Sequence, residues 1–449
     1  MIKVLILAYD FPPYISVGAQ RPYYWYRYFK EFGIDPVVVS RQWNNNYSGA
    51  DQYVAEGYSD EDVVKKTNFG QLIKAPYKPN IANRLYLKYG DKNFRFLRKI
   101  ISGYYEIMQW HYPIGPKMGV YKTAREYLST NKVDIIVASG DPYILFKYAS
   151  KLSSKFKIPW IADYRDPWIT KSSGHSLALY LKKQVDYHNE RRFLKNATCI
   201  TTVSEYFRDL IKTNLPDKNF VIIPNGFDSE QMQSALKVQQ DADFLTICLI
   251  GRIYKYYPVE LVFSAFDSFI QKHPDFRFKL IGLSGENISD TLLKKYPAVF
   301  KKTISMPALP SAGVMEELAK SHALLLFNMY SIIGTKIYDY IAIKRKILLC
   351  FSDEPEANKL RENYFSSETE SYSDQNAQEK LIREKDSGII VKNKEHLLEV
   401  LNELYKEFFE TGQIECHSKD ISEYSRKAQT EKLADLIHKL LENNNNLRR

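Results

Sequence analysis

The stretch GTKIYDYIAIKRKILLC, Gly334 to Cys350, reads as a short helix running directly into a buried strand. The helix opens with Lys336 and carries an acid, Asp339, one turn later. A cation there faces the positive end of the helix macrodipole, an unfavourable placement unless an anion joins it. Gly334 leaves the backbone open and Thr335 can cap the helix. The freed N–H groups together with Lys336 would then hold a phosphate or diphosphate. Asp339 lies on the same face and can accept hydrogen bonds from ribose hydroxyls. The alternative is a local Lys336–Asp339 ion pair at helical spacing, which composition alone favours.

Outward from this unit the same pattern repeats: a short apolar run, then a helical one. The first half carries such runs at 2–8, 35–40, 133–139, 159–164, 198–204 and 220–224. After a polar patch at 229–243 they resume at 244–251, 276–282, 303–307, 322–327, 346–351 and 387–391. Near-continuous apolar strands alternating with helices predict parallel sheets covered on both faces. The chain of 449 residues exceeds one ordinary core. The expectation is therefore an α/β protein of two doubly wound domains: 1–228, a linker at 229–243, and 244–424. A final amphipathic helix at 425–442, apolar at Leu433, Leu436, Ile437, Leu440 and Leu441, has no strand after it and can bury its stripe back on the first domain. The polar segment 366–380 is expected as a surface loop.

The bulk numbers exclude some classes. Cysteines stand at 199, 248, 350 and 416 with no C-x-x-C and no metal spacing, so they read as reduced thiols of a cytoplasmic protein. No apolar run is long enough to cross a bilayer. The net charge is +10, unevenly spread: residues 84–126 hold nine basic and three acidic side chains, a net of +6. Within that segment Phe94, Leu97, Ile101, Tyr104 and Met108 fall on one side of a helix, and Lys88, Lys92, Arg95 and Lys99 on the other. Such a helix can lie on an anionic membrane surface; a solvated face over a domain core is the alternative. Nothing points to nucleic acid.

Chemistry in doubly wound sheets gathers just beyond the carboxyl ends of strands. There, Gly251 ends a strand and sends Arg252 and Lys255 into a loop, where two cations can bind a diphosphate or simply be solvated. In FPPYISVGAQRPYYWYRYF (11–29), Pro12 and Pro13 stop the first strand and Gly18 permits close backbone approach where a helix begins. No G-x-G-x-x-G is present. ASGDPY (138–143) and IADYRDPW (161–168) place Asp141, Asp163, Arg165 and Asp166 at strand ends, where charges orient hydroxyls or stabilise a charged transition state. An Arg165–Asp166 pair with turn chemistry around Pro142 and Pro167 is the alternative.

Taken in order, FPP…VG, SGDP, DYRDPW, TTVSE, IPNGFD, GRIY and GTKIYDYIAIKRKIL resemble a GT-B glycosyltransferase of the Glycosyltransferase Family 4 kind, over nearly the whole chain. The resemblance implies two Rossmann-like domains facing across a cleft, the second binding a nucleotide-sugar (a UDP-sugar being the commonest) and the first the acceptor. It implies transfer, with retention of configuration and without a metal, to a glycan or lipid-linked acceptor. The setting would be capsule, O-antigen or exopolysaccharide assembly at the inner face of the plasma membrane. The sugar would be of hexosyl or N-acetylhexosaminyl type. Asp339 matches the second acid of the family's E-x7-E element, whose first acid is replaced by Ser331. Gly334, Thr335 and Lys336 match its diphosphate contacts, Arg252 its loop arginine, and Gly18 its glycine-loop contact to the donor phosphates. Pro258 replaces the loop lysine, for which Lys255 can substitute. The family's catalytic histidine falls near Gly140, leaving Asp141 as the nearest polar group, with Arg165 and Asp166 alongside. Two other readings stay open: a GT-B nucleotide-sugar epimerase, and an inactive nucleotide-sugar-binding module.

Overall fold

The computed structural model describes residues 1–44, 50–169, 177–282, 294–364 and 376–448. They form two compact units. One runs from Met1 to Pro224 and resumes at Lys427; the other runs from Asn225 to Arg426.

The first unit carries strands β1 (Ile2–Leu7), β2 (Ile34–Arg41), β3 (Val63–Thr67), β4 (Gly70–Ala75), β5 (Ile135–Gly140), β6 (Trp160–Tyr164), β7 (Cys199–Thr202) and β8 (Phe220–Ile222). They form one sheet in the order β3-β4-β2-β1-β5-β6-β7-β8. All neighbours are parallel except β3 and β4, which pair antiparallel. The side-chain alternation of a strand explains why the apolar runs are continuous. Leu5 and Leu7 enter one core with Val37, Val39 and Ile136, while Val4 and Ile6 enter another, with Val38, Ile135 and Val137, on the opposite face. The second core also takes Leu433, Ala434 and Ile437 of the helix Arg426–Arg448, whose His438 ring nitrogen meets the Phe32 carbonyl oxygen at 2.9 Å.

The second unit repeats the design with β9 (Leu245–Ile250), β10 (Phe276–Ile281), β11 (Thr303–Met306), β12 (Ala323–Phe327), β13 (Lys346–Cys350) and β14 (Gly388–Val391), in the order β11-β10-β9-β12-β13-β14. Every pairing is parallel. Leu245, Ile247 and Leu249 face one core, and Cys248 and Ile250 the other.

Every expected apolar run is a strand, but other readings change. The β3–β4 hairpin lies where no strand was expected. Lys65 and Lys66 interrupt its apolar pattern, which an edge strand tolerates because one side is solvated. Residues 229–243, expected as a linker, hold the helix Ser229–Ala235, capped by the Asp228 carboxylate, with Met232 and Ala235 buried in the second unit. Within 366–380, residues 366–375 lie outside those described, and a helix starts at Ala377. The basic helix also differs. In Arg95–Met108 no side chain is buried; Phe96, Leu97, Ile100, Tyr104 and Ile107 are all exposed, Phe96 to 79%. Its outward face is therefore itself apolar, and Ile101 and Met108 are only half-buried.

Asp163 was expected beyond a strand, yet it sits inside β6 and is fully buried. It accepts from Arg21 Nη2 at 2.7 Å and Nε at 3.3 Å, from Ser139 Oγ at 3.1 Å and from Thr201 Oγ1 at 2.8 Å. Arg21 Nη1 donates onward to the carbonyls of Ile223 and Pro224 at 2.9 and 3.1 Å. One ion pair thus joins β5, β6, β7, the chain after β8 and the helix Val17–Tyr28. Removing one partner of a buried pair leaves an uncompensated charge. Asp163→Ala should therefore destabilise the first unit by about 3–5 kcal/mol in denaturant unfolding.

Candidate functional site

Each sheet has one place where chain order reverses. In the first it lies between β1 and β5, and in the second between β9 and β12. Loops leaving the two strands at such a point diverge, opening a crevice beyond their carboxyl ends.

In the second unit the crevice is lined by the segment after β9 and by the helix Lys336–Ala342, which follows the β12 loop. Ile337, Tyr338, Tyr340 and Ile341 bury this helix in the core, and the Ile250 N–H donates to Tyr340 Oη at 3.2 Å, tying it to the end of β9. Lys336 then falls across Gly251: a Cβ there would stand 2.9 Å from Lys336 Cε and Nζ, and the Gly251 φ of +77° also favours glycine. Two separate sequence motifs thus meet at one point.

Lys336 is half-buried and makes no ion pair among the described residues; the Lys336–Asp339 pair is not formed. Burial pushes the Lys336 ammonium down to about 8. Burial also pushes Asp339 up to about 7, with Arg426 opposing and Asp228 reinforcing that rise. Thr335 makes no capping hydrogen bond, contrary to expectation, because its own backbone is already helical. Gly334, Arg252 and Lys255 are exposed, and nothing lies within 4 Å of a Cβ at Gly334. Next to the two loop cations, Tyr254 and Tyr256 stack on each other at 5.3 Å, and Tyr257 stacks on Phe327 at the end of β12 at 4.5 Å. Ser331 is buried, and Pro258 precedes the helix Val259–Ile270.

In the first unit the corresponding crevice gathers Gly18, Asp141 and Arg165. Arg165 Nε donates to the Gly140 carbonyl at 2.8 Å and Nη2 to the Asp141 carbonyl at 2.7 Å. These bonds lay the guanidinium over Gly18, where a Cβ would stand 2.0 Å from Nη1. The Arg165–Asp166 ion pair is not formed among the described residues. Asp166 is exposed; its backbone carbonyl accepts from Tyr143 Oη at 2.9 Å, and the Tyr143 ring stacks on Trp168 at 5.3 Å. The Asp141 side chain is exposed.

Asp10, Ser16, Arg21 and Tyr340 were not singled out from the sequence. A serine two residues before a glycine at a helix start was the available signal for Ser16, which caps Val17–Tyr28 through the Ala19 N–H at 3.0 Å. Arg21 and Tyr340 act over sequence separations of 142 and 90, which leave no local signature. Among the described residues no group of three or more acids, cysteines or histidines could hold a metal. No described helix is long and apolar enough to cross a membrane.

Residues 22–231, just under half of the chain, match the model of Glycosyltransferase Family 4. No curated protein matches the sequence. Among solved structures, sucrose-phosphate synthase from Thermosynechococcus elongatus is similar at 11% identity with a TM-score of 0.57, covering 100% of this chain and 98% of its own. Starch synthase IV from Arabidopsis thaliana, bound to ADP and acarbose, is similar at 12% identity and 0.57, covering 98% and 99%. A trehalose-6-phosphate protein from E. coli bound with UDP-2-fluoro glucose is similar at 11% and 0.55, covering 98% and 97%. At such identities the likeness speaks to the fold, two parallel-sheet α/β domains of GT-B type.

A buried lysine without a partner costs stability, which an anion would return. Lys336→Met should raise the melting temperature of the ligand-free protein by roughly 2–4 °C and abolish the further rise given by pyrophosphate. In the wild type, pyrophosphate affinity should fall as pH climbs through about 8, since Lys336 is charged below that value and neutral above it. Lys336→Arg, charged throughout, should hold affinity level over the same range.

Proposed function

We propose that the chain is a GT-B glycosyltransferase, a reading supported by the Glycosyltransferase Family 4 match over residues 22–231, and that it moves a hexosyl or N-acetylhexosaminyl group from a nucleotide-diphosphate-sugar to a glycan or lipid-linked acceptor. The observation that carries this reading is the unpaired, half-buried Lys336 ammonium lying over Gly251 at the reversal point of the second sheet. A diphosphate leaving group gains negative charge as the glycosidic bond breaks. Lys336, Arg252 and Lys255 supply cations, and the open backbone at Gly334 and Thr335 supplies N–H donors. Each such donor is worth about 3 kcal/mol of barrier when it faces the developing charge. Asp339 takes the ribose hydroxyls; its burial-raised pKa fits a carboxyl that gains hydrogen-bond partners only when a ligand arrives.

The nucleotide is uridine in this reading, and the sugar leaves with retained configuration. Charge on the leaving group is met by protein cations rather than by a metal. Asp141, Arg165 and Asp166 of the first unit orient the acceptor, with Gly18 giving Arg165 its room. The setting is assembly of a cell-envelope polysaccharide on the cytoplasmic side of the membrane. The exposed apolar stripe on Arg95–Met108 supports a peripheral contact with an anionic bilayer, since Arg84, Lys88, Lys92 and Lys99 are exposed beside it. Ser331 and Pro258, in place of two family side chains, favour an inactive binding module as the second reading.

Incubation with labelled nucleotide-sugars and a bacterial lipid extract separates these. Transfer to lipid supports the transferase, a changed free sugar the epimerase, and binding without turnover the module. Lys336→Ala should lower transfer by about 100-fold, while Lys406→Ala, on an exposed face of the helix Lys394–Thr411, should leave it unchanged. In sedimentation with vesicles of phosphatidylcholine and phosphatidylglycerol, the double variant Phe96→Ser, Ile100→Ser should bind about tenfold more weakly than wild type. Equal binding would remove the membrane contact from this face.

A further inference from the structure

Asp10 lies three residues beyond β1, at the reversal point of the first sheet, on the β1 side of the crevice whose β5 side carries Asp141. Its Oδ2 accepts from Ser16 Oγ at 2.7 Å, and Ser16 in turn caps the helix Val17–Tyr28. Its Oδ1 is buried and has no hydrogen-bond partner among the described residues. The Arg165 guanidinium, which acts electrostatically on Asp10, does not fill that need: it spends Nε and Nη2 on the Gly140 and Asp141 carbonyls, while its Nη1 lies over Gly18. Arg41, the other cation close enough to act on Asp10, donates to the Gln42, Tyr53 and Ala55 carbonyls and to Tyr9 Oη, and its guanidinium rests on the Tyr77 and Trp43 rings. A buried carboxylate oxygen left without a donor is destabilising, and such groups persist where a ligand supplies the missing bond.

We propose that Asp10 is an acceptor-binding residue, its Oδ1 taking a hydrogen bond from a hydroxyl of the sugar or polyol that enters the crevice between the β1 and β5 loops. Ser16 fixes the carboxylate by holding Oδ2, so Oδ1 has one orientation to offer. Arg165 sits beside it as a fixed cation, its fork locked by two backbone carbonyls. A hydroxyl placed between them donates to Asp10 and keeps its own lone pairs toward the guanidinium. This inference rests on the transferase reading, but it names a group that the sequence motifs did not.

A structural carboxylate and a ligand-binding one behave oppositely on neutralisation. Asp10→Asn keeps the shape and an oxygen for Ser16 but removes the buried charge. The melting temperature of Asp10→Asn should equal or exceed that of wild type. Its thermal shift with UDP, or with GDP if that is the nucleotide that binds, should be unchanged. Its kcat/KM for transfer to the lipid extract should fall by about 100-fold, with Asp10→Glu restoring part of it. A melting temperature that falls together with activity would make Asp10 a structural carboxylate and overturn the proposal. Transfer within threefold of wild type would overturn it too, while leaving the transferase reading intact. Absence of transfer by the wild type from every nucleotide-sugar would sink the transferase reading itself, and this proposal with it.

Discussion

Parallel strands cannot be joined by a tight turn, so each crossover carries the chain over one face of the sheet and back. Once a sheet grows in both directions from a starting strand, two neighbouring crossovers must lie on opposite faces. The loops at that seam part, and backbone N–H groups and side chains there have no neighbouring loop to cover them. Both sheets of this protein obey the constraint, at β1/β5 and at β9/β12. The candidate chemistry of each unit sits at its seam.

The two seams are furnished alike. Each has a glycine shortly after the first of its two strands, Gly18 or Gly251, and a cation laid across that glycine from an element on the far side, Arg165 or Lys336. A side chain at either glycine would occupy the volume of the cationic head. Arg165 is fixed by two carbonyls, whereas Lys336 is held only by the packing of its helix and by the Tyr340 tether to β9. The first cation is pre-set; the second has donors still unspent. That difference suits the first to orienting a neutral hydroxylated group and the second to receiving a charged one.

Much of this was legible in the sequence because strand burial on two faces leaves uninterrupted apolar runs, and each run from Ile2 to Val391 named a strand. The β3–β4 hairpin escaped because Lys65 and Lys66 break its run at a solvated edge. Asp141, Arg165 and Gly251 were visible as polar or glycine residues at the ends of such runs, and Gly18 and Lys336 as residues at the starts of helices. Asp163 looked the same by position but is a core residue, since its partner Arg21 lies 142 positions away and no local pattern announces it. Asp10 is the converse case: an acid at the end of the first run, unremarked until its second oxygen proved to lack a donor. Periodicity reports which face a residue lies on, not which distant group answers it.

The returning helix Arg426–Arg448 has a bearing on how the chain is made. Leu433, Ala434 and Ile437 complete an apolar layer begun by Val4, Ile6 and Phe29. During translation that layer stays open on one side while some two hundred further residues emerge, and the uninterrupted segment from Asn225 to Arg426 has everything it needs to collapse first. The unit whose strands leave the ribosome before Asn225 is therefore the one finished after Arg426. Until the returning helix arrives, the greasy flank around Phe29 is the surface a nascent-chain chaperone would be expected to shield.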